Sequence, residues 1–177
     1  MRVCCISAKA RHGKDTAAEL LKEYLESKDQ RVLITHFADL LKFICKEFFG
    51  WDGKKDEAGR TLLQYIGTDV IGAKDPAYWA KFIVDFLKLF ENEWDYVLIP
   101  DWRYPIESAT LSTWFWTARL RIERPGFESN LTAEQKLHAS EVSLDDYPFT
   151  AVVYNDADLE SFKTKLVEFA DNHLLKY

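Results

Sequence analysis

A chain of 177 residues is long enough for one domain with a real core, and a content of 47% hydrophobic and 15% aromatic residues excludes a disordered chain. The net charge of −6 argues against general affinity for nucleic acid, whose binding is dominated by phosphate neutralisation, and favours small partners. The three cysteines, two of them adjacent at Cys4 and Cys5, suit buried thiols in a reducing compartment. No run approaches the ~20 apolar residues of a membrane span, and the first residues lack the apolar stretch of a signal peptide.

In chain order, RVCCI is a short apolar run without Gly or Pro and predicts a strand. TAAELLKEYLES carries Ala17, Leu20, Leu21, Tyr24 and Leu25 at helical spacing. Between them, Ser7 to Thr16 (SAKARHGKDT) forms a loop that ends in Gly13-Lys14 and opens the helix. Such a loop presents unpaired backbone N–H groups and the Lys14 ammonium to an anion, for which a nucleotide phosphate is the natural guest. The pattern departs from GxxxxGK followed by Ser or Thr. Ala8 stands at the first glycine, Asp15 where the magnesium-binding hydroxyl belongs, and Thr16 one place later. An ordinary strand-to-helix turn with a lysine at its tip is the plain alternative.

Lys28 to Gln30 make a polar turn before RVLITHFA, a β-branched run expected as a second buried strand. Ala38 to Phe49 returns to helical spacing through Leu40, Leu41, Ile44, Phe48 and Phe49, and Gly50 stops it. Trp51 to Gly59 reads as a charged connection, and RTLLQYIGTDVIGAK as a mixed run broken by Gly67 and Gly72. From Ala77 to Phe90 a helix carries Trp79, Phe82, Ile83, Phe86, Leu87 and Phe90 as one apolar stripe. YVLI, Tyr96 to Ile99, is the next strand. It ends at Pro100 and Asp101, which puts a carboxylate on the edge where open α/β sheets bind ligands.

DWRYPIE leads into a short helix, ESATLSTWFW, and ARLRIERP follows as a strand. In it Ala118, Leu120 and Ile122 alternate with Arg119, Arg121 and Glu123, so that one face meets water or a covering helix. Residues 125–148 contain no long apolar run. Thr132 to Gln135 is capping-box-like before a short helix with His138 and Glu141, and the whole excursion is expected to be a lid insertion. FTAVVYN closes the sheet, and an amphipathic helix with Leu159, Phe162, Leu166, Phe169 and Ala170 on one side ends the chain. The expected class is α/β, one domain over residues 1–177. It is a P-loop NTPase-type three-layer sandwich with a mainly parallel five-stranded sheet, helices on both faces and a small lid.

Seven separated motifs, in order, resemble those of one family, the deoxynucleoside monophosphate kinases of bacteriophages and their relatives. They are GKDT, FADLLK, RTLLQYIGTD, DWRYPIE, IERPG, HASE and NDADLESF. The family's signatures look like GKD, FADPLK, LLQxxGTE, DVRFPNE, xxRPG, HxSE and NDGTLEEL. The likeness runs from near Val3 to about Phe169.

The resemblance implies transfer of the γ-phosphoryl group of ATP, with Mg²⁺, onto the 5′-phosphate of a deoxynucleoside monophosphate. It implies small nucleotide partners, no nucleic acid or membrane, a homodimer as an open possibility, and a cytoplasmic location, the host's if phage-encoded. On this implication Lys14 and the backbone of Ala10, Arg11, His12, Gly13, Asp15 and Thr16 cradle the donor phosphates. Thr16, or Asp15 through water, holds Mg²⁺. Asp101 binds a magnesium water or orients the acceptor, and Arg103 grips the acceptor phosphate, unless it serves as a structural ion pair with Glu107. Asp39 and Lys42 meet the acceptor's sugar and phosphate or form a surface salt bridge. Arg60 and Gln64, one helical turn apart, offer a guanidinium to phosphate and an amide to a base edge, and Trp79 stacks on the base or packs in the core. Arg124 lies over the donor phosphates, Asn155 lines the donor adenine or ends its strand, and His138 and Glu141 brace the closed lid.

Three departures stand out: Gly72 where relatives often carry an arginine, with Lys74 as a substitute, Ile106 for the Asn of FPNE, and Ala8 for the loop glycine. The rival expectations are a P-loop kinase of another small phosphorylated acceptor, of phosphomevalonate or dephospho-coenzyme A type, and a non-catalytic nucleotide-binding module.

Overall fold

Five short runs of apolar and β-branched residues pair into one sheet in the computed structural model, which describes residues 1–54, 56–129, 132 and 136–176. They are β1 (Arg2–Ala8), β2 (Val32–Ile34), β3 (Tyr96–Ile99), β4 (Trp116–Glu123) and β5 (Ala151–Tyr154). The order is β2-β3-β1-β4-β5, and every neighbouring pair is parallel. The connecting helices are α1 (Lys14–Glu26), α2 (Asp39–Phe49), α3 (Glu57–Gln64), α4 (Tyr78–Leu89), α5 (Pro105–Ser112), the short α6 (Ala139–Val142) and α7 (Leu159–Phe169). Two π-helical turns, Tyr65–Gly72 and Ala170–Leu174, extend α3 and α7.

Parallel strands need crossovers, and these crossovers cover both faces of the sheet. Cys4 and Ile6 of β1 point to one face, where Ala17, Ala18, Leu21 and Leu25 of α1 and Phe162, Leu166 and Phe169 of α7 pack. Val3 and Cys5 point to the other, against Ala80, Ile83, Val84 and Leu87 of α4 and Leu111 of α5. The adjacent cysteines thus serve two cores as small buried hydrophobes, and burial pushes both thiols up. The expected three-layer α/β sandwich is present. Among the described residues no helix is long and apolar enough to cross a membrane.

Some boundaries differ from those expected. Strand β2 stops at Ile34 rather than running to Ala38, because the N–H groups of Phe37 and Ala38 turn away from the ladder to the Asp101 carboxylate, at 2.9 and 3.1 Å. Strand β4 begins at Trp116, earlier than expected, since β1 pairs with it from Arg2 onward. The Trp51 to Gly59 stretch is partly built in. Trp51 is buried and donates from Nε1 to the Lys54 carbonyl at 2.8 Å, and α3 starts at Glu57 with Asp56 as its cap. A Cβ at Gly59 would fall 2.1 Å from that same carbonyl oxygen, so only glycine lets the turn close on the helix. Of the capping-box-like run, residues 133–135 lie outside the described residues, as do 130 and 131 of the expected lid insertion.

Candidate active site

Strand β1 runs on into α1 on one face of the sheet, and its neighbour β3 runs on into α5 on the other. A crevice opens between two such strands at their C-terminal ends, because their continuations diverge. Cys5 pairs with Ile99, so that two residues further on Ser7 enters the Lys9–Gly13 loop just as Asp101 leaves β3.

The loop is held in an unusual path. Arg11 and Gly13 both have positive φ, 63° and 102°, and His12 donates its N–H to the Lys9 carbonyl at 3.2 Å. At Gly13 a Cβ would be strained by its φ and would also stand 2.9 Å from Asn155 Nδ2. Asn155, just past β5, donates that amide to the His12 carbonyl at 3.1 Å and its own N–H to the Glu123 carbonyl at 2.7 Å, so it buttresses the loop. His12 Nδ1 accepts the N–H of Arg124 at 3.1 Å, and burial together with the Arg121 charge lowers its pKa, which keeps that nitrogen an acceptor. Phe127 meets the His12 ring edge-on at 6.1 Å and carries the Arg124 guanidinium 4.6 Å over its face. Gly13 caps α1 without a side chain, which leaves the first-turn N–H groups facing the loop. Lys14 Nζ rests on the exposed Asp15 carboxylate at 2.6 and 2.7 Å; Ala10 is half-buried and Thr16 exposed.

Across the crevice Asp101 uses both oxygens on the Phe37 and Ala38 amides and so ties β3 to the start of α2. There Asp39 pairs with Lys42 at 3.0 Å and with His36 at 3.2 Å. Burial would raise the Asp39 carboxyl, but these two partners hold it below its ordinary value. Glu107 is buried and accepts the N–H groups of Arg103 and Tyr104 at 2.9 and 3.0 Å, locking the turn into α5. Burial pushes its pKa up to about 7, with those two donors pulling the other way. Glu107 therefore shapes the backbone under Arg103, and the Arg103 guanidinium bonds elsewhere.

Its partner is Glu141 of α6, at 2.8 Å. The carbonyl of the same Glu141 accepts Lys9 Nζ at 2.5 Å, so one residue joins the loop to the arginine beyond Asp101. Asp145, a turn further on, pairs with Lys9 at 2.5 Å and lies 3.6 Å from Arg121. His138 caps α6 and reaches Gln64 Nε2 at 3.3 Å. Arg60 on the same helix is exposed, its side chain without a partner among the described residues. Trp79 donates to the Gly67 carbonyl at 3.2 Å and packs with the core beside Val84 and Leu87. The loop, Asp101, Arg103, Arg124 and Asn155 thus gather at one sheet edge, while Trp79 takes a packing position and Glu107 holds the backbone of the turn.

Sequence reasoning missed Lys9, Arg121 and Asp145. Arg121 looked like one of three positions of β4 on a face that meets water or a covering helix; it is 5% exposed and donates to Ser7 Oγ at 3.0 Å. Only the β1–β4 register, which sets Ser7 beside Arg121, could have shown it.

Among the described residues no cluster of three or more His, Cys, Asp or Glu side chains is arranged to hold a metal ion. The oxygen donors at the crevice are the exposed Asp15 carboxylate, the Thr16 hydroxyl and, opposite, Asp101. So sparse a set fits Mg²⁺, which retains waters and takes its other oxygens from phosphates.

A sequence model of the deoxynucleotide monophosphate kinases matches residues 28–166. The chain belongs to the deoxynucleotide monophosphate kinase family. The match begins after the Lys9–Gly13 loop, so the loop geometry is an observation separate from family membership. The deoxynucleotide monophosphate kinase of Enterobacteria phage T4 is 33% identical over 109 residues, 60% of this chain and 43% of that protein. The chain spans less than half the length of this relative. Among solved structures, the Mycobacterium tuberculosis APS kinase CysC in complex with AMPPNP and APS superposes with a TM-score of 0.52 at 12% identity, covering 96% of this chain and 97% of that one. A mutant of the same kinase gives 0.52 at 10% identity with 96% of each chain covered. At such identities the likeness shows a shared fold.

Proposed function

We propose that this family member transfers the γ-phosphoryl group of ATP to the 5′-phosphate of a deoxynucleoside monophosphate. The observation that carries the reading is Glu141, which links Lys9 of the loop to Arg103 beyond β3 and so marks one crevice with a cationic group on each wall. Phosphoryl transfer between two anions needs positioning and positive charge more than covalent chemistry. The α1 N-terminus and Lys14 receive the donor phosphates, Lys14 exchanging Asp15 for phosphate oxygens. Arg103 takes the acceptor phosphate, Arg124 lies above the donor, and Asn155 keeps the loop in shape rather than touching adenine. Arg60 and Gln64 stand ready for the acceptor base, and Lys42 and Asp39 for its sugar and phosphate. Thr16, or Asp15 through water, would hold Mg²⁺, with Asp101 binding one of its waters, and the ion would supply positive charge to the phosphates. Residues 125–148 act as the lid, with His138 and Glu141 as its contacts to the body.

The test is turnover of each common dNMP and NMP with ATP and Mg²⁺, followed as diphosphate product. Formation of a dNDP from at least one is expected, and no product from any would end this reading. Lys14→Ala and Arg103→Ala should each lower turnover at least ~100-fold, as removal of a preorganised charge contact does. Retained activity in either variant removes that residue from the site.

A further inference from the structure

Arg121 is the charged group that the reading above leaves without a task. Its side chain is 6% exposed, on the strand next to β1 and opposite Ser7, the residue that enters the phosphate loop. One guanidinium nitrogen, Nη1, donates to Ser7 Oγ at 3.0 Å, and Phe149 lies under the group with its ring centroid 5.6 Å from Cζ. The opposite fork is loose. Nε has no hydrogen-bond partner, the Glu123 carboxylate standing 3.8 Å away, and Nη2 is 3.6 Å from Asp145. Among the described residues no other buried side-chain nitrogen or oxygen is left without a hydrogen bond.

Arg121 lines a cleft of about 350 Å³ together with Lys9, His12, Arg124 and Asp145. A guanidinium kept for packing would spend its donors on fixed acceptors, since an unmade buried hydrogen bond is costly. Here three cations, Lys9, Arg121 and Arg124, face two carboxylates, Glu123 and Asp145, and Asp145 is 41% exposed and sits closer to Lys9. Burial lowers the Arg121 pKa, while Asp145, Glu123 and Glu141 favour its charge. Two parallel N–H groups with no acceptor in hydrogen-bond range, next to a flexible lysine, match the oxygens of a phosphate.

We propose that Arg121 is a phosphate-binding residue, anchored by Ser7 below the loop, whose Nε–Nη2 edge takes an oxygen pair of the donor phosphate chain after Asp145 has moved aside. Asp145 stands 3.6 Å from Nη2 and is the acceptor that phosphate replaces. The identity of the anion as a nucleotide phosphate rests on the kinase reading; the anion site itself does not.

The experiment titrates inorganic tripolyphosphate into the full chain by calorimetry and follows thermal unfolding of the same samples without ligand. Arg121→Gln should bind tripolyphosphate at least 10-fold more weakly, with an unfolding midpoint equal to or above that of the wild type, because a half-paired buried charge has gone. Arg121→Lys should fall between. Asp145→Asn should bind severalfold more tightly. Unchanged affinity in Arg121→Gln overturns the proposal, and so does absence of tripolyphosphate binding by the wild type. If Arg121→Gln does not fold, Asp145→Asn decides: tighter binding supports the site, and unchanged or weaker binding overturns it. Loss of tripolyphosphate affinity in Arg121→Gln in a protein that phosphorylates no dNMP would uphold Arg121 and sink the acceptor reading. Active turnover with unaltered tripolyphosphate affinity would do the reverse.

Discussion

Glu107 shows how much one buried side chain can fix. Its carboxylate gathers the amides of Arg103 and Tyr104, sets the direction in which Arg103 leaves β3, and starts α5 at Pro105. Burial raises its pKa from the ordinary 4.5 to about 7. Between those values the unfolded chain has released this proton and the folded chain still holds it. The contribution to stability is therefore full below about 4.5 and falls as the pH rises through 7. The fall is on the order of 3 kcal/mol, at 1.36 kcal/mol per pKa unit. Denaturant unfolding from pH 4.5 to 8 should show this decline in the wild type and a flatter profile in Glu107→Gln, whose amide oxygen can still accept the two N–H groups. Parallel profiles would assign the pH dependence to another group.

At the scale of elements, the crevice depends on ties between segments that the sheet alone does not hold. Strand β2 has three residues, and beyond it the chain reaches α2 through Phe37 and Ala38, whose amides both end on Asp101. An acceptor lost from beneath two half-buried N–H groups costs about 1–3 kcal/mol. Asp101→Ala should thus speed hydrogen exchange at Phe37 and Ala38 far more than in β3 and loosen the start of α2, where Asp39 and Lys42 sit. Protection factors at those amides equal to the wild type would show that the tie is not needed. Asn155 plays the corresponding part for the phosphate loop, joining it to β4 through the Glu123 carbonyl. Each wall of the crevice is thereby held by a side chain from the end of a neighbouring strand.

Across the whole molecule, the stretch from His138 to Asp145 spans both walls. It touches α3 through Gln64, the loop through Lys9, β3 through Arg103 and β4 through Arg121. Glu141 is the buried partner of the Arg103 pair, 11% exposed against 42%, so Arg103 is steered by Glu141 and keeps part of its guanidinium open. An arginine oriented in advance loses less freedom on binding phosphate. Glu141→Gln should then raise the acceptor KM by about 10-fold, or ~1.4 kcal/mol, while the ATP KM stays near the wild-type value. Equal increases for both substrates would indicate a general loosening of the segment instead.

The sequence by itself determined the alternation of strands and helices, a loop ending in Gly13-Lys14 between β1 and α1, though shorter (Lys9–Gly13) than the expected Ser7–Thr16, and the carboxylate after β3, because hydrophobic period, glycine placement and strand ends are local properties of the chain. It also carried the family likeness, spread over motifs that stay recognisable without any knowledge of their contacts. Tertiary structure alone decided that Arg121 is buried against Ser7, that Glu107 serves the backbone, that β2 stops short for Asp101, and that Glu141 and Asp145 meet the cations of both walls. These depend on strand register and on residues far apart in the chain, such as Lys9 and Glu141, 132 positions apart. Local periodicity holds no record of such pairings, since an arginine that faces water and one that faces a neighbouring strand occupy the same place in an alternating pattern.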